Sequence, residues 1–252
     1  HLLMASVASL NNSHRLGGNE APPAVMSVFV GRTLSSVLDS IEKMVSDNIS
    51  AEEISSSLNV VGKIPEILPD NTDRNRTSPF AFTGNRFEFR AVGSSVNVAS
   101  SMYILNTAVA QQLIVFKERA SVRINGGATS EEAILETIRE FIAESVPVRF
   151  EGNGYSKEWQ EEAARRGLRG ISNVPEAFKA FLEKGSIALM KDMDVLSERE
   201  VEARYEVMNE IYIKKLQIEA RVIGDLTVNH IIPTAIKFQN TLIDNVRGIK
   251  DL

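Results

Sequence analysis

Apolar positions in the first part of the chain follow two different periods. Residues 24–31, AVMSVFVG, form a short run rich in β-branched residues that ends at Gly31, and this pattern predicts a buried strand. The following segment repeats its apolar residues at helical spacing and therefore predicts an amphipathic helix. The apolar face of this helix comprises Leu34, Val37, Leu38, Ile41 and Val45.

Between Pro65 and Gly93 the pattern changes to turn residues and alternating aromatic side chains. Two aromatic segments flank the turn sequence TGN at residues 83–85, which predicts a strand, a tight turn and a second strand. Upstream, Ser50 and Glu53 have the spacing of a capping box, so a short helix is expected to begin there. Residues up to about 95 are therefore predicted to form a mixed piece of helices and strands whose loops are rich in Arg, Asn, Gly and Pro.

After Ser95 the pattern is helical almost without interruption. The first helix of this part is predicted from the spacing of Val98, Met102, Leu105, Val109 and Leu113. The pairs Thr129/Glu132 and Ser197/Glu200 have capping-box spacing and predict the first turns of two further helices. The second of these is long, with glutamates and arginines at helix-pair distances. Pro233 is expected to interrupt the last helix, at its start or with a kink.

Charged groups that could perform chemistry are concentrated in three segments before residue 95. The loop at residues 14–23 carries one arginine and one glutamate, residues 70–76 carry Arg74 and Arg76, and residues 85–90 read NRFEFR. Each segment has an ordinary interpretation. The first could be a surface loop, the second a solvated turn with weak ion pairs, and the third an edge strand with cross-strand ion pairs.

Together the three segments indicate a site for an anion beside a metal ion. In a strand, Arg86, Glu88 and Arg90 share one face, because successive side chains point to opposite sides. Guanidinium groups hold phosphate or carboxylate through paired donors, and a carboxylate suits Mg²⁺ that also binds phosphates. Phosphoryl transfer requires charge neutralisation, a metal and positioning groups, so this reaction class is one hypothesis.

Composition narrows the class of protein. A net charge of −5 disfavours a general nucleic-acid or membrane-surface binder, which needs a clustered positive field. The absence of cysteine excludes disulfides, thiolate metal sites and cysteine nucleophiles. The three histidines lack ligand spacing, so no metal role is assigned to them. Both ends of the chain continue an apolar or helical pattern, so the chain is expected to be an internal fragment of a longer protein.

Three ordered motifs resemble the glutamine synthetase family. RLGGNEAPP at residues 15–23, RNRTSPFAF at 74–82 and NRFEFRAVGSS at 85–95 are similar to its glutamate-flap loop, its arginine segment and its R-x-E-x-R strand. The amino-acid sequences of these motifs are closer to the type III branch of the family, which is found mainly in bacteria. VRFEGNGYS at residues 148–156 and IIPTAIKFQNTLIDNVRG at 231–248 extend the resemblance over nearly the whole chain.

The resemblance implies a reaction and a set of residue roles. ATP phosphorylates the side-chain carboxylate of glutamate, and ammonia then displaces the phosphate, with Mg²⁺ or Mn²⁺ as cofactor. Arg15 and Arg90 would bind substrate, and Glu20 would close the ammonium site and accept its proton. Arg76 would stabilise the moving phosphoryl group, Arg86 would lie near the nucleotide phosphates, and Glu88 would ligate one metal ion.

The resemblance also implies a fold and an assembly. The fold class is α+β. Residues 1–110 would be the C-terminal part of the catalytic domain, with antiparallel strands and helices, and residues 111–252 would be a mostly helical C-terminal extension. Family members are cytoplasmic, ring-shaped homo-oligomers that build each site between neighbouring subunits. Because the upstream catalytic strands are missing from this chain, it is expected to be inactive alone.

The chain departs from the family pattern in two places. The loop from Arg15 to Glu20 is one residue shorter than the common type I form, and Ala81 and Phe82 stand where type I enzymes carry a further arginine. Two alternatives to a glutamine synthetase stay open. One is another γ-glutamyl–amine ligase of the same superfamily, and the other is a structural or regulatory protein that kept the fold.

Overall fold

The structure is a computed structural model that describes residues 1–15, 25–46, 77–93 and 96–250. The short helix expected at Ser50 and Glu53 lies outside these ranges. The chain forms two compact units, His1–Tyr205 and Glu206–Leu252. A small sheet among many helices confirms the α+β class. The predicted division between residues 110 and 111 stays a prediction.

Within the described residues, the sheet contains three strands in the order β1 (Val28–Phe29), β2 (Phe80–Phe82) and β3 (Phe87–Phe89). β2 and β3 form the predicted antiparallel hairpin, whose turn contains Gly84 at a φ of +97°. β1 and β2 are parallel, an arrangement that their long connection permits and a tight turn would forbid. Only two residues of the predicted first strand are paired, and the strand ends before Gly31, whose φ is +89°.

The helices of the first unit include those predicted after Gly31, after Ser95, at Thr129 and at Ser197, together with shorter helices that were not predicted. They are α1 (Leu2–Val7), α2 (Arg32–Ser46), α3 (Ala99–Asn125), α4 (Ser130–Ser145), α5 (Lys157–Arg165), α6 (Val174–Phe178) and α7 (Lys184–Asp192), followed by the start of α8 (Glu198–Leu226). Short 3₁₀ segments span Leu10–Arg15, Val146–Val148 and Lys179–Leu182. Both capping boxes are confirmed. The Glu132 carboxylate accepts from the Thr129 backbone N–H at 2.8 Å, and that of Glu200 accepts from the Ser197 N–H at 2.8 Å.

The buried face of α3 differs from its apolar stripe. The helix is confirmed, but Met102, Val109 and Leu113 are exposed, while Ser101 and Thr107 are buried. The small side chains allow close packing of α3 against α1, where the hydroxyls of Ser101 and Ser6 lie 2.9 Å apart. The buried face of α3 therefore includes Ser101, Ile104 and Thr107, and it excludes the three exposed residues of the predicted stripe.

A tryptophan-centred cluster holds the segment before α5 against the sheet. Trp159 of α5 is 1% exposed, and Phe150 stacks on it with a centroid distance of 3.7 Å. Val25, Ala163 and Leu168 pack in the same cluster. The Phe150 backbone N–H donates to the carbonyl of Val28 at 3.0 Å, so this segment lies beside β1.

The second unit is helical throughout its described residues. The last part of α8 leads into a π-helical turn, Thr227–Ile231, and then into α9 (Ile232–Lys250). Pro233 is the second residue of α9, which confirms the predicted interruption at a helix start. None of the described residues 206–250 is buried. Within the described ranges, no helix combines the length and apolar character that a membrane span requires.

Candidate active-site strand

The β2–β3 hairpin separates an aromatic face from a charged face. Phe80 and Phe87 stack with centroids 5.4 Å apart, and Phe82 and Phe87 lie 5.1 Å apart. Because these rings occupy one side, the side chains of Glu88 and its two arginine neighbours lie on the other. The predicted sharing of one face by Arg86, Glu88 and Arg90 is confirmed by their hydrogen bonds.

Glu88 lies between the two guanidinium groups and binds both. Its Oε1 accepts from Arg86 Nη2 at 3.3 Å, and its Oε2 accepts from Arg90 Nη2 at 3.0 Å and Nε at 3.2 Å. The side chains of Arg86, Glu88 and Arg90 are 70%, 35% and 26% exposed. These ion pairs run along one strand, between residues two apart, whereas the ordinary interpretation expected pairs across strands. Among the strands that the structure describes, β3 lies at the edge of the sheet, as that interpretation required.

The electrostatics of this triad favour anion binding. Hydrogen bonding from Arg90 is the largest cause that lowers the pKa of Glu88 below its usual value. Partial burial opposes this effect, and Arg86 adds to the lowering. Glu88 is therefore ionised at neutral pH, and the triad carries one net positive charge. That charge and the outer guanidinium donors remain accessible because Arg86 is mostly exposed.

The triad provides only part of a metal site. Each carboxylate oxygen of Glu88 has further lone-pair capacity beyond the bonds from the arginines. Mg²⁺ prefers about six oxygen ligands in octahedral geometry, and one carboxylate supplies a fraction of that shell. In the part of the chain that the structure describes, no three His, Cys, Asp or Glu side chains lie close enough to hold a metal ion. Glu88 thus fits the role of one ligand, with the others contributed from elsewhere.

The other predicted site residues are only partly described. The backbone of Arg15 ends the 3₁₀ segment Leu10–Arg15, while its side chain and the residues Glu20 and Arg76 lie outside the described structure. Thr77, which follows Arg76, accepts a hydrogen bond from the Gly154 N–H at 2.8 Å. The structure therefore brings together Arg86, Glu88 and Arg90. The convergence of all three segments stays a prediction.

The departure at Ala81 has a clear position in the sheet. Ala81 pairs directly with Glu88 across the hairpin and is buried. Directly paired residues of two strands lie on the same face. An arginine here would stand beside the triad, whereas the methyl group of Ala81 contributes neither charge nor donor. Any phosphate contact at this place must come from another group.

Two residues that organise the surroundings of the site were missed in the sequence. Asn12 donates from Nδ2 to the carbonyl oxygens of Val7 at 2.8 Å and Ala91 at 2.9 Å. Nothing in the run NNSHR distinguishes it from an ordinary loop asparagine, because one acceptor lies 79 residues away in the sequence.

Glu151 is the second missed residue. Its carboxylate accepts from the backbone N–H groups of Val30 at 3.0 Å and Gly31 at 2.9 Å, and from Ser35 Oγ at 2.9 Å. A carboxylate at the start of α2 is favourable because the first N–H groups of a helix lack partners within it. In the sequence, Glu151 lies between Phe150 and Gly152, and this context indicates no particular hydrogen-bond partner.

Comparison with known proteins agrees with the motifs. Residues 133–250 match the family model described as glutamine synthetase C-terminal domain. The chain is 50% identical over 252 residues to a glutamine synthetase of Bacteroides fragilis (strain YCH46), covering 100% of this chain and 35% of that protein. It is 40% identical over 248 residues to the Type-3 glutamine synthetase of Dictyostelium discoideum, covering 98% of this chain and 33% of the relative.

A third relative extends the same result. A glutamine synthetase of Butyrivibrio fibrisolvens is 34% identical over 255 residues, covering 100% of this chain and 35% of the relative. The chain thus spans about a third of the length of each relative, as the fragment interpretation expects. The ordered motifs, the charged strand and the matched helical region point to one conclusion: the chain belongs to the glutamine synthetase family, with a type III enzyme among its relatives.

Proposed function

We propose that this chain is part of an ATP-dependent ligase that joins ammonia to L-glutamate through γ-glutamyl phosphate. The observation that carries the proposal is the triad on β3. It combines two guanidinium groups and one ionised carboxylate on a single face, in a chain of the glutamine synthetase family. A glutamate carboxylate, a nucleotide triphosphate and the phosphorylated intermediate are all anions that such a face attracts.

The proposed division of labour follows from charge and position. Arg90 is less exposed than Arg86 and makes the shorter hydrogen bonds to Glu88, so it suits a fixed contact with glutamate or phosphate. Arg86 suits the mobile nucleotide phosphates. Arg15 would complete the glutamate clamp, and Arg76 would offset charge on the transferred phosphoryl group. Glu20 would accept the proton that makes ammonia nucleophilic.

Glu88 is the residue of the described chain proposed to hold a divalent ion, Mg²⁺ or Mn²⁺. Such an ion supplies charge neutralisation at the phosphates. Arg86 and Arg90 orient the carboxylate before any ligand binds and keep it ionised by lowering its pKa. A glutamate is ionised at neutral pH in any case, and the lowered pKa extends this metal-binding form to more acidic pH.

The parent protein is proposed to be a cytoplasmic, ring-shaped homo-oligomer. Large apolar side chains stay exposed along residues 206–250, among them Ile218, Ile223 and Phe238. An extended set of exposed apolar residues is typical of surfaces that a partner covers. A second copy of the parent chain is the partner proposed here, and the size of the full-length protein in solution tests it.

The function is tested by comparing Glu88→Gln with Glu118→Gln in the full-length enzyme. Glu118 is an exposed glutamate of α3, so its substitution removes the same charge away from β3. Glutamine formation is measured against Mg²⁺ concentration. We expect Glu88→Gln to raise the half-saturating metal concentration by at least about tenfold, since a ligand is lost. Glu118→Gln should behave as wild type.

Unchanged metal dependence in Glu88→Gln would refute the ligand role. In a parallel assay, ammonium is replaced by small primary amines at the same concentration. Faster turnover with an amine than with ammonium would favour the γ-glutamyl–amine ligase alternative, and no turnover with either would favour the structural one. The isolated chain of 252 residues is expected to release no phosphate from ATP with glutamate and ammonium, because we propose that the rest of the site is contributed by other parts of the longer parent protein.

A further inference from the structure

We propose that Asn12 is a positioning residue that sets the spacing between the backbone segment ending at Arg15 and the segment carrying Arg90. The inference rests on the proposed function, which assigns substrate binding to these two arginines. Asn12 itself touches no substrate in this proposal. It acts by joining the two backbone segments that bear the binding groups.

Asn12 lies at the junction of three backbone segments. Its side chain is fully buried, with 0% of the residue exposed. One Nδ2 hydrogen bond reaches the carbonyl of Val7 at the end of α1, and the other reaches the carbonyl of Ala91. Ala91 immediately follows Arg90, and Asn12 belongs to the turn Leu10–Arg15. A single amide group therefore links both arginine-bearing segments to the same helix.

Only a primary amide fits this position. Both acceptors are backbone carbonyls, so the side chain must present two N–H donors from one nitrogen. An aspartate has the same shape but offers only acceptors when ionised, and an alanine would leave two buried carbonyls without this donor. The backbone at Asn12, with a φ of −122° and a ψ of 17°, also departs from the helical values of its neighbours. This local kink sets the direction in which the turn continues to Arg15.

The segment that follows Arg90 has a glycine, Gly93, where the chain passes close to the Asn12 side chain. Gly93 comes so close that a methyl group in place of its hydrogen would lie 2.9 Å from Asn12 Oδ1 and 3.0 Å from Cγ. Such a distance is shorter than carbon and oxygen atoms tolerate, so either the amide or the chain after Arg90 would have to move. The glycine permits the close approach on which the Ala91 hydrogen bond depends.

Correct spacing matters because an anion clamp works only when its donors converge. Misplacing a binding group by about 1 Å can reduce the rate about a hundredfold. Asn12 is three residues from Arg15, and its acceptor is one residue from Arg90. Loosening the link should therefore weaken glutamate binding selectively. A merely structural role would lower stability without separating glutamate from ATP.

The experiment compares Asn12→Ala, Gly93→Ala and Ser6→Ala in the full-length enzyme. Ser6 is the matched control because it is also buried and polar, and its hydroxyl bonds Leu3 O at 2.6 Å and Ser101 Oγ at 2.9 Å. It lies on neighbouring α1 but contacts neither arginine-bearing segment through these bonds. The KM for glutamate, the KM for ATP and the Tm are measured for each variant. Gly93→Ala keeps the Asn12 donors and provides an independent test if Asn12→Ala fails to fold.

We expect Asn12→Ala and Gly93→Ala to raise the KM for glutamate by about tenfold or more, with the KM for ATP within about twofold of wild type. Ser6→Ala should lower the Tm and leave both KM values near wild type. Equal increases in both KM values, an unchanged glutamate KM in a folded variant, or the same selective increase in Ser6→Ala would overturn the inference. If wild type forms no glutamine, the proposed function has failed, which is a separate outcome.

Discussion

The two compact units differ in whether their large apolar side chains are buried or exposed. In His1–Tyr205, Trp159, Phe178, Phe181 and Met190 are almost fully buried. In residues 206–250, which are richer in isoleucine, leucine and valine than residues 1–205, none of the described side chains is buried. Composition alone therefore does not make a core. A helix contributes to folding through apolar side chains only when another element covers them.

The difference also separates two kinds of helix stability. The helices α4 and α5 each bury several side chains and are held by tertiary contacts. The end of α8 and the whole of α9 depend within the described structure on backbone hydrogen bonds and local ion pairs such as Lys214–Glu210, which span one turn. Local pairs of this kind stabilise a helix by about 0.2–0.5 kcal/mol each. The first unit should therefore respond strongly to single substitutions and the second weakly.

The largest effect is expected from Trp159→Ala in the 252-residue chain. Removing a buried indole that packs with Phe150 should lower the free energy of unfolding by about 3–5 kcal/mol. Urea unfolding followed by far-UV circular dichroism measures the change. Trp159→Phe is the control. Nε1 of Trp159 has no hydrogen-bond partner within the described structure, so this smaller change removes packing alone and should cost clearly less. Equal losses would mean that this cluster is not tightly packed.

A smaller effect is expected at the helix starts. Thr129→Ala removes the hydroxyl that accepts from the Glu132 N–H at 3.3 Å at the start of α4. Loss of such an N-cap costs about 1 kcal/mol. The same urea experiment measures it, and Thr129→Ser, which keeps the hydroxyl, should stay close to wild type. A loss as large as that of Trp159→Ala would show that the first turn of α4 is more than a local cap.

The capping boxes also predict a pH dependence. Hydrogen bonds from the backbone N–H of Thr129 and then from its hydroxyl lower the pKa of Glu132 below its usual value, and Ser197 does the same for Glu200. A lowered pKa in the folded state means that the stabilisation is complete above the usual glutamate pKa. It is lost as the pH falls through the folded-state pKa. The free energy of unfolding should therefore decrease as the pH falls below about 4.3, where an unperturbed glutamate is half protonated.

Glu132→Gln isolates one of these contributions. Glutamine can still bond the N-cap backbone but does not titrate, so the variant should lose stability less steeply on acidification. Urea unfolding at several pH values from neutral to acidic measures both slopes. Identical slopes for wild type and variant would show that Glu132 contributes nothing to the acid sensitivity.

The smallest effect is expected from Ile218→Gln in the same chain. Ile218 is 60% exposed in the second unit, so its substitution should change the free energy of unfolding by no more than about 0.5 kcal/mol. In the full-length protein the same substitution is expected to weaken self-association, measured by sedimentation. A loss above about 1 kcal/mol in the isolated chain would place Ile218 in a folded core and contradict the comparison between the units.

Local patterns were sufficient for much of the fold. The hairpin around Gly84, the capping boxes and the shared face of Arg86, Glu88 and Arg90 all depend on residues a few positions apart. The fold class was predicted from the resemblance to the glutamine synthetase family. The buried face of α3 was not, because which face is covered depends on the neighbouring helix and not on the stripe itself.

The contacts around the site were harder to predict. Glu151 bonds Val30 and Gly31 from 121 and 120 residues away, and Asn12 bonds Ala91 from 79 residues away. No periodicity connects such pairs, and a single sequence contains no signal for them. The roles of Glu20 and Arg76 depend entirely on their motifs.

The π-helical turn at Thr227–Ile231 has a geometric consequence for anything that lies along this helix. A π turn accommodates one extra residue, and each residue of an α-helix advances about 100° around the axis. Side chains after Pro233 are therefore rotated relative to an unbroken continuation of the preceding turns. A single straight line of contacts therefore cannot continue in one register from the helix before the π-helical turn to the helix after it. A binding partner must meet them as two short sites facing different directions.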